Sequence, residues 1–440
     1  MKVCVVGSGG REHALAHVLG RSAEVVVTPG NPGISGSTSA PATEITADLY
    51  VIGPEAPLVA GLADKLRGRG KLVFGPGADG ARLEGSKAWM KELLVSAGVP
   101  TATHGTFTSE VAALRFLDTL GDLFVIKTDG LASGKGVLVT QDRAEATAAV
   151  RAYLAGDAFG EAGKKIVIEE GLSGPELSVL AVCDGTHAVA LAPAQDYKRI
   201  GEGDVGANTG GMGAYSPVPE ATSAMVQEVM SDAVLPTLAA LCRRGINYRG
   251  VLYAGLMLTP QGIKVLEYNV RFGDPEAQVV LPRLRSDLAE LLAQAAQGCL
   301  SHEPAYGDDA AVTVVCASKG YPHTPTVGDV ISGIEAANHQ DGVKVFCAGV
   351  ASQPAKSSVG TKSPVGRSKS LVTAGGRVLS VTGQGPSLEV ARTRAYQGVT
   401  QIEWQGCYFR RDIAKVATAV ATDAPVVVSS SEAHSEREKI

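Results

Sequence analysis

The chain has 440 residues, of which 45% are hydrophobic and 19% charged, and its formal net charge is −5. This length predicts two to four domains with an ample core, and the charge balance excludes the basic character that nucleic-acid binding usually shows. We see neither an apolar run of about 18 residues nor a signal peptide, so we expect a cytoplasmic protein that makes no membrane contact.

The positions of the cysteines and glycines limit the kinds of binding site that the chain can contain. The seven cysteines are scattered without a C-x-x-C pair, and the eight histidines form no zinc-binding array. We therefore expect free, mostly buried thiols in a reducing compartment. Glycine is the one excess, with 53 residues clustered in GSGG, PGNPG, DGLASGKG and NTGGMG. Loops that come close to a ligand need glycine, so these four stretches are candidate binding loops.

Residues 1–82 predict a parallel α/β domain. Its predicted strands and helix, in chain order, are 2–6, 11–19 (the helix), 24–28, 48–52 and 71–74. Alternating strands and helices indicate a parallel sheet that binds ligands at its carboxyl edge. GSGGRE does not complete a dinucleotide motif, because Glu12 stands where the third glycine belongs. A phosphate site at the helix N-terminus is predicted there, with an ordinary turn as the alternative.

Residues 83–288 predict an α+β unit built on antiparallel sheets. A helix over 83–97 should end at Gly98. Hairpin-like strands follow, LFVIKT with VLVT and KIVIEE with ELSVLAV, and enclose glycine-rich loops. The predicted elements that close the unit are a helix at 221–242 and strands at 250–258 and 263–270.

Residues 289–425 predict a small mixed C-terminal domain. It contains the strands AAVTVVCA and RVLSVTG, and its last helix should bury one stripe: Leu388, Ala391, Ala395, Val399 and Ile402. Residues 351–370 carry four basic and no acidic side chains, which predicts a mobile loop. We expect a disordered tail at 426–440.

The stretch KVLEYNVRFGDPE, residues 264–276, predicts a strand with three polar groups on one face. Side chains alternate along a strand, so Glu267, Asn269 and Arg271 point the same way. A carboxylate beside an amide oxygen suits Mg²⁺, which prefers oxygen ligands and takes the remainder from phosphate and water. The alternative is a sheet face exposed to solvent.

DGLASGKG differs from a P-loop in its spacing and in having Gly136 after the lysine. A glycine loop between antiparallel strands can fold over a triphosphate, with Lys135 and backbone N–H groups meeting the charge. Lys127, late in an apolar strand, supports this because it is costly to bury without an anion. An ordinary glycine-rich hairpin is the alternative.

Two further stretches indicate nucleotide or substrate contacts. In IVIEEGL the neighbouring Glu169 and Glu170 face opposite ways, so one can meet a ribose or an adenine amino group while the other is solvated. QDYKR and NTGGMGAYSP bring polar side chains beside three glycines. An ordinary surface loop remains the alternative for the second stretch.

In this order the motifs resemble the phosphoribosylamine-glycine ligase (glycinamide ribonucleotide synthetase) family of the ATP-grasp superfamily. The resemblance spans about residues 1–412 and rests on GSGGREHAL, GPEAPLV, LEGSKA, IKTDGLASGKGV, IVIEEGL, QDYKR, NTGGMGAYSP, KVLEYNVRFGDPE and GGRVLSVTG. It implies an ATP-grasp middle domain with a small mobile lid at about 101–170. It also implies ATP-dependent ligation of glycine to 5-phosphoribosylamine, through glycyl phosphate, in purine biosynthesis.

The resemblance also implies site residues. ATP would meet Lys87, Lys127, Gly134, Lys135, Gly136, Glu169, Glu170, Leu172 and Glu176. Mg²⁺, or Mn²⁺ in its place, would be held by Glu267 and Asn269. The substrate pocket would contain Gly9, Gly10, Asn31, Gly53, Pro54, Glu55, Asp196, Lys198, Gly211, Arg271, Asp274 and Pro275. Arg271, Lys127 and Lys135 would act in catalysis, without a protein nucleophile, in a monomer.

Three departures from the family pattern bear on this reading. The segment 31–53 is short, so a covering helix should be missing and the sheet flank exposed or remodelled. Tyr197 replaces the histidine of the family's QDHKR, which leaves the role of that ring open. The strand VLYAGLML has no carboxylate for a further metal ligand.

Two rival functions remain. One is another ATP-dependent carboxylate-amine ligase, of the carboxylase-like or D-alanine type. The other is a nucleotide-binding module without catalysis. The presence of Lys127, Glu267, Asn269 and Arg271 together argues against the second, because binding alone would not require the arginine.

Overall fold

The computed structural model describes residues 1–131, 136–156, 164–353 and 370–415. The chain opens with a parallel sheet in the order β2-β1-β3-β4, made of β1 (Lys2–Gly7), β2 (Glu24–Pro29), β3 (Leu49–Ile52) and β4 (Val73–Phe74). Helix α1 (Gly10–Leu19) packs on one face. The opposite face packs against α2 (Glu55–Val59), α3 (Leu62–Arg67) and α4 (Ala78–Gly85). The parallel α/β expectation for this region is confirmed.

The short connection between β2 and β3 remodels the flank of this sheet. It contains a single 3-10 turn, Ala42–Glu44, in place of a longer helix. The Val27 N–H donates to the Gly36 carbonyl at 3.0 Å, and the Thr38 N–H donates to the Val27 carbonyl at 2.9 Å. The connection therefore pairs with the edge of β2, and it buries Ile34 and Ala42.

The helix predicted over 83–97 is two helices. α4 ends at Gly85 and α5 (Lys87–Ala97) begins after Ser86, whose backbone is extended. The Ser86 hydroxyl accepts a hydrogen bond from the Trp89 N–H at 3.2 Å, which caps the new helix. Apolar periodicity continues through the break, so the sequence pattern did not reveal it. The end at Gly98, in the left-handed region, is as predicted.

A small antiparallel sheet follows in the order β5-β8-β6-β7. It consists of β5 (His104–Phe107), β6 (Phe124–Thr128), β7 (Val137–Thr140) and β8 (Ile166–Glu170), and it is covered by α6 (Glu110–Leu117) and α7 (Arg143–Leu154). The predicted hairpin of β6 and β7 is confirmed.

The other predicted hairpin is wrong. β8 pairs with β5 and β6, whereas the next strand, β9 (Glu176–Asp184), belongs to a different sheet. Both strands were recognised, but their partners lie far away in the sequence, and strand patterning does not specify distant partners.

The larger antiparallel sheet has the order β10-β9-β15-β16. Its other strands are β10 (Ala188–Ala190), β15 (Arg249–Thr259) and β16 (Gly262–Asn269). Helix α8 (Ser223–Val229) continues through a π-helical turn into α9 (Leu235–Arg243), which packs against α5. By length and composition only, this helix of 21 residues is long and apolar enough to cross a membrane, a criterion that the core helix of a soluble protein also meets.

A third antiparallel sheet, in the order β11-β14-β17-β21-β18, joins distant segments. Its strands are β11 (Gln195–Asp196), β14 (Gly213–Ser216), β17 (Ala310–Ala317), β18 (Val343–Cys347) and β21 (Arg377–Gly385). Two-stranded ribbons are formed by β12 (Arg199–Gly201) with β13 (Val205–Asn208) and by β19 (Val350–Gln353) with β20 (Ser370–Thr373). The sheet places the 195–216 segment beside the C-terminal strands.

The remaining helices are α10 (Ala277–Arg283), α11 (Leu288–Gln297), α12 (Ile334–Asn338) and α13 (Leu388–Val399). The stripe predicted along α13 is buried, and Ile402 just beyond its end is buried too. The loop predicted at 351–370 overlaps β19 and β20 at its ends, and its centre lies outside the described residues, as does the tail. The predicted α/β multidomain class is confirmed.

Candidate active site

A cavity of about 580 Å³ lies where four sheets approach one another. The N-terminal sheet contributes the ends of β3 and α1, and the small sheet contributes the β6–β7 loop. The large sheet contributes β16 and the turn after it, and the C-terminal part contributes the start of β21. The charged side chains that line the cavity are Arg11, Glu55, Glu84, Lys87, Asp196, Lys198, Glu267, Arg271, Asp274, Glu276 and Arg377.

The polar face predicted on β16 borders this cavity. Glu267, Asn269 and Arg271 all line it, whereas Val270 lies in the hydrophobic core and Tyr268 belongs to that core and also touches the cavity. The Arg271 Nη2 donates to Asn269 Oδ1 at 3.1 Å. Strand alternation therefore correctly identified three neighbours on one face.

Arg271 is fixed by two carboxylates. Its Nη2 donates to Glu84 Oε1 at 2.9 Å, and its Nε lies 3.3 Å from Glu55 Oε2. Burial lowers the pKa of Arg271, but Glu84 and Glu55 outweigh this and raise it. The guanidinium is therefore a permanently charged and oriented group.

Glu267 is surrounded by cations. Burial raises the pKa of its carboxyl group, but Lys198, Lys127 and Lys87 outweigh this and lower it. No described residue donates a hydrogen bond to its oxygens. Gly255, on the neighbouring strand, is its cross-strand partner, so β15 adds no carboxylate there. Glu267 is thus an ionised oxygen donor available to a ligand.

A buried lysine pair holds Glu169. Lys127 Nζ lies 2.8 Å from Glu169 Oε1, and Lys91 Nζ lies 2.9 Å from Oε2. Burial raises the pKa of Glu169, but Lys127 and then Lys91 outweigh it, so the carboxylate is ionised. Burial lowers the pKa of Lys91 to about 8, against the pull of Glu169. Lys127 is therefore connected to α5 through a carboxylate.

The glycine loop after β6 is tied to the start of α5. Asp129 Oδ1 accepts hydrogen bonds from the Ala88 N–H at 3.1 Å and from the Ser86 hydroxyl at 2.9 Å. Lys87 Nζ donates to the Gly130 carbonyl at 2.9 Å. Burial lowers the pKa of Lys87, and Glu267 opposes that shift. The loop and the lysine thus border the same end of the cavity.

On the opposite wall, Lys198 lies between two carboxylates. Its Nζ is 3.1 Å from Asp196 Oδ1 and also contacts Glu176 Oε2. Burial raises the pKa of Asp196 despite the attraction of Lys198. Burial lowers the pKa of Lys198, but Asp196 and Glu176 outweigh it, so the lysine stays charged.

The cavity brings together ten of the residues predicted from sequence: Pro54, Glu55, Lys87, Gly136, Asp196, Lys198, Glu267, Asn269, Arg271 and Asp274. Eleven lie outside its lining: Gly9, Gly10, Asn31, Gly53, Lys127, Glu169, Glu170, Leu172, Glu176, Gly211 and Pro275. Asn31 instead borders a second cavity of about 400 Å³ beside Ala348 and Gly349. Gly134 and Lys135 lie outside the described residues.

The residues at or near the cavity that sequence reasoning missed include Arg11, Glu84, Lys91, Tyr321 and Arg377. A sequence signal could have identified Arg11 and Arg377, because each follows a pair of glycines at the start of a helix or strand. Glu84 and Lys91 are ordinary charged residues of predicted helices, so no sequence signal marked them. Their ion-pair partners come from distant parts of the chain.

Tyr197 turns away from the cavity that its neighbours Asp196 and Lys198 line. Its hydroxyl accepts a hydrogen bond from the Ala414 N–H at 2.9 Å, and the Arg410 guanidinium lies 4.8 Å from its ring centre. The ring therefore connects this strand to the C-terminal segment.

Sequence models of phosphoribosylglycinamide synthetase match the chain in three successive parts. The N domain matches residues 1–84, the ATP-grasp (A) domain 85–277 and the C domain 311–416. A phosphoribosylamine–glycine ligase from Synechocystis sp. is 48% identical over 434 residues, covering 94% of this chain and 99% of the relative. One from Mesorhizobium japonicum is 44% identical over 436 residues, covering 95% and 99%.

Solved structures agree with these matches. The crystal structure of phosphoribosylamine–glycine ligase from Thermotoga maritima superposes with a TM-score of 0.81 at 34% identity, covering 94% of this chain and all (100%) of that one. The biotin carboxylase domain of the Hydrogenobacter thermophilus 2-oxoglutarate carboxylase, with a TM-score of 0.66 at 17% identity, covers 93% and 91% and shows a shared fold only. The chain belongs to the phosphoribosylglycinamide synthetase family, whose middle domain has the ATP-grasp fold.

Proposed function

We propose that this protein joins glycine to 5-phosphoribosylamine with cleavage of ATP, forming glycinamide ribonucleotide, ADP and phosphate. Family membership over nearly the whole chain supports the reaction. The observation that carries it is the convergence of Glu267, Asn269 and Arg271 with Lys87 on one cavity.

Glu267 and Asn269 fit a divalent cation. Glu267 offers an ionised carboxylate with no hydrogen-bond donor among the described residues, and Asn269 offers an amide oxygen. In the described part of the chain no cluster of three His, Cys, Asp or Glu side chains suits a metal. Two protein oxygens, with phosphate and water as the other ligands, are typical of Mg²⁺, and Mn²⁺ is its usual substitute. When bound, the cation would neutralise charge on phosphoryl oxygens.

ATP would lie between the small sheet and β16. Lys87 and the backbone of Gly136 border that end of the cavity, and Lys127 lies just beneath it. Lys127, Lys135 and the loop 130–136 meet the phosphates in this proposal, and the strand end Glu169–Leu172 with Glu176 meets the nucleoside. The salt bridge from Lys127 to Glu169 orients that lysine before nucleotide arrives.

The chemistry has two steps. A glycine carboxylate oxygen attacks the γ-phosphorus and ADP leaves, which gives glycyl phosphate. The amine of phosphoribosylamine then attacks the acyl carbon, the C–O bond to phosphate breaks, and the departing phosphate takes up the amine proton. Arg271, oriented by Glu84 and Glu55, stabilises the acyl-phosphate oxygens. Positioning and charge stabilisation suffice, so no protein nucleophile is required.

Several broader expectations belong to this proposal. The substrate pocket includes the turns at Gly9–Gly10, Gly53–Glu55 and Asp274–Pro275, with Asn31 and Gly211 behind them. The small sheet acts as a lid over ATP, within domains bounded near 1–82, 83–288 and 289–425. The enzyme works as a cytoplasmic monomer, in keeping with its seven free cysteines.

Substrate dependence tests the function. We expect sustained ADP release to require ATP, glycine and an amine acceptor together, and we expect phosphoribosylamine to be the preferred acceptor. Bicarbonate or D-alanine in place of glycine should give background rates, because these are the carboxylate substrates of the rival ATP-grasp ligases. Turnover with either substitute at the glycine rate, or nucleotide binding without product, would contradict the proposal.

A further inference from the structure

At the turn that follows β16, the wall of the cavity is formed in part by two arginines near Asp274. Arg11 comes from the first turn of α1, and Arg377 starts β21, so the two reach this turn from opposite ends of the chain. Both line the cavity, together with Tyr321.

Each arginine is held in place by part of its guanidinium only. Arg11 Nε donates to Glu12 Oε1 at 2.6 Å and Nη1 donates to the Phe272 carbonyl at 3.2 Å. Arg377 Nη1 donates to the carbonyls of Asp274, at 2.7 Å, and Gly210. Backbone and carboxylate oxygens thus fix both planes.

The remaining N–H groups have no acceptor. In the described part of the chain, Arg11 Nη2 makes no hydrogen bond, and it is not fully enclosed, so it can be reached from the cavity. Arg377 Nε makes none, and its Nη2 is 3.4 Å from Asp274 Oδ2, which is a loose ion pair. Planar pairs of guanidinium donors match phosphate oxygens.

The nearby carboxylates are already engaged. Glu12 also accepts from the Gly9 N–H at 2.6 Å, and Glu276 accepts from the Tyr253 hydroxyl. Asp274 accepts from Gln278 Nε2 at 2.7 Å. Burial raises the pKa of Asp274, but Arg377 and then Arg11 outweigh it. The open donors therefore await an acceptor from outside the chain.

We propose that Arg11 and Arg377 bind the 5-phosphate of the sugar substrate, so that the C-terminal part of the chain selects a phosphorylated acceptor. This inference rests on the proposed function. It places the phosphate between Arg11 and Arg377 beside Asp274, and the reacting amine towards Arg271, whose Nη1 shares the Phe272 carbonyl with Arg11. The ribose then lies between these neighbouring groups.

The test compares phosphoribosylamine, formed in solution from ribose 5-phosphate and ammonia, with ribosylamine, formed from ribose and ammonia. The measured quantity is the ratio of kcat/KM for the two acceptors. We expect Arg377→Met to lower this preference by about 30-fold and Arg377→Lys to lower it less, since lysine keeps the charge. Arg411→Met changes an exposed arginine in the segment after α13 and should leave the ratio unchanged.

Two measurements separate the possible failures. Glycine hydroxamate formed from ATP, glycine and hydroxylamine needs no sugar, so it reports whether each variant is folded and forms glycyl phosphate. If the wild-type protein forms neither hydroxamate nor product, the proposed function fails. If Arg377→Met lowers kcat/KM for both acceptors by the same factor, the arginine only holds the Gly210 loop in position. The inference is then overturned.

Binding to the wild-type protein gives an independent check. Ribose 5-phosphate should raise the melting temperature, whereas ribose should not, and Arg11→Gln should remove the effect. Equal shifts with the two sugars would overturn the phosphate site even if the Arg377 variants do not fold.

Discussion

Two of the antiparallel sheets that border the cavity are buried in different ways. The sheet of β9, β10, β15 and β16 packs on both faces, with Leu177 and Val179 in one core cluster and Leu180 and Val182 in the other. The sheet of β5 to β8 packs against α6 and α7 around a small core of its own.

Polar contacts connect the small sheet to the rest of the molecule. Lys91 and Lys264 bind Glu169 and Glu170 at the end of β8, and Asp129 binds the start of α5. A sheet with few apolar contacts to its surroundings opens more easily than one enclosed on both faces. The large sheet therefore holds Glu267 and Asn269 between two core clusters, while salt bridges set the position of the small sheet.

The largest expected effect comes from the large sheet. Glu267→Gln removes the ionised oxygen from a rigid strand, so we expect kcat/KM for ligation to fall by about 1000-fold in a variant that still folds. Glu228→Gln, at an exposed site on α8, is the matched control and should retain full activity. Wild-type turnover in Glu267→Gln would rule out its role.

Lys91→Met tests the buried connection to the small sheet. Lys91 and Glu169 are 0% and 2% exposed, so losing one partner should lower the free energy of unfolding by about 3 kcal/mol. Lys264→Met breaks the corresponding pair with Glu170, at 24% and 32% exposure, and should cost about 0.5 kcal/mol. Urea denaturation of both variants measures the difference. Equal losses would show that burial does not distinguish the two connections.

Asp184→Asn tests the edge of the large sheet at low pH. Burial raises the pKa of Asp184, but N–H groups of His187, Thr186 and Leu300 outweigh it and lower the pKa to about 2 from 3.8. A lowered pKa stabilises the fold above the unfolded value, and this stabilisation is lost as pH falls through about 2.

We therefore expect the variant to be less stable by about 2 kcal/mol at pH 7, and the difference to shrink as the pH is lowered below the unfolded pKa. Denaturant titrations across this pH range measure it. Asp232→Asn, at an exposed position, is the control. A deficit that persists unchanged at low pH would contradict the linkage.

The smallest effect is expected at Tyr197. Tyr197→Phe keeps the ring under Arg410 but loses the acceptor for the Ala414 N–H, so stability should fall by about 1 kcal/mol. Tyr197→His restores the family's usual ring, and both variants should ligate at the wild-type rate because the side chain points away from the cavity. A change in KM for either substrate would show that the ring acts on the site.

Local patterning determined much of this protein from its sequence. Alternation along β16 brought Glu267, Asn269 and Arg271 onto one face, helical spacing marked the buried stripe of α13, and strand–helix alternation predicted the N-terminal sheet. These features depend on residues close together in the chain, where side-chain direction follows from backbone geometry.

Only the tertiary structure decided which distant segments meet. It separated β8 from β9, ended α4 before Ser86, and paired β14 with β17 across almost a hundred residues. It also brought Lys91 to Glu169 and Arg377 to Asp274. Such contacts depend on how whole sheets pack, and no local periodicity records the identity of a partner from another part of the chain.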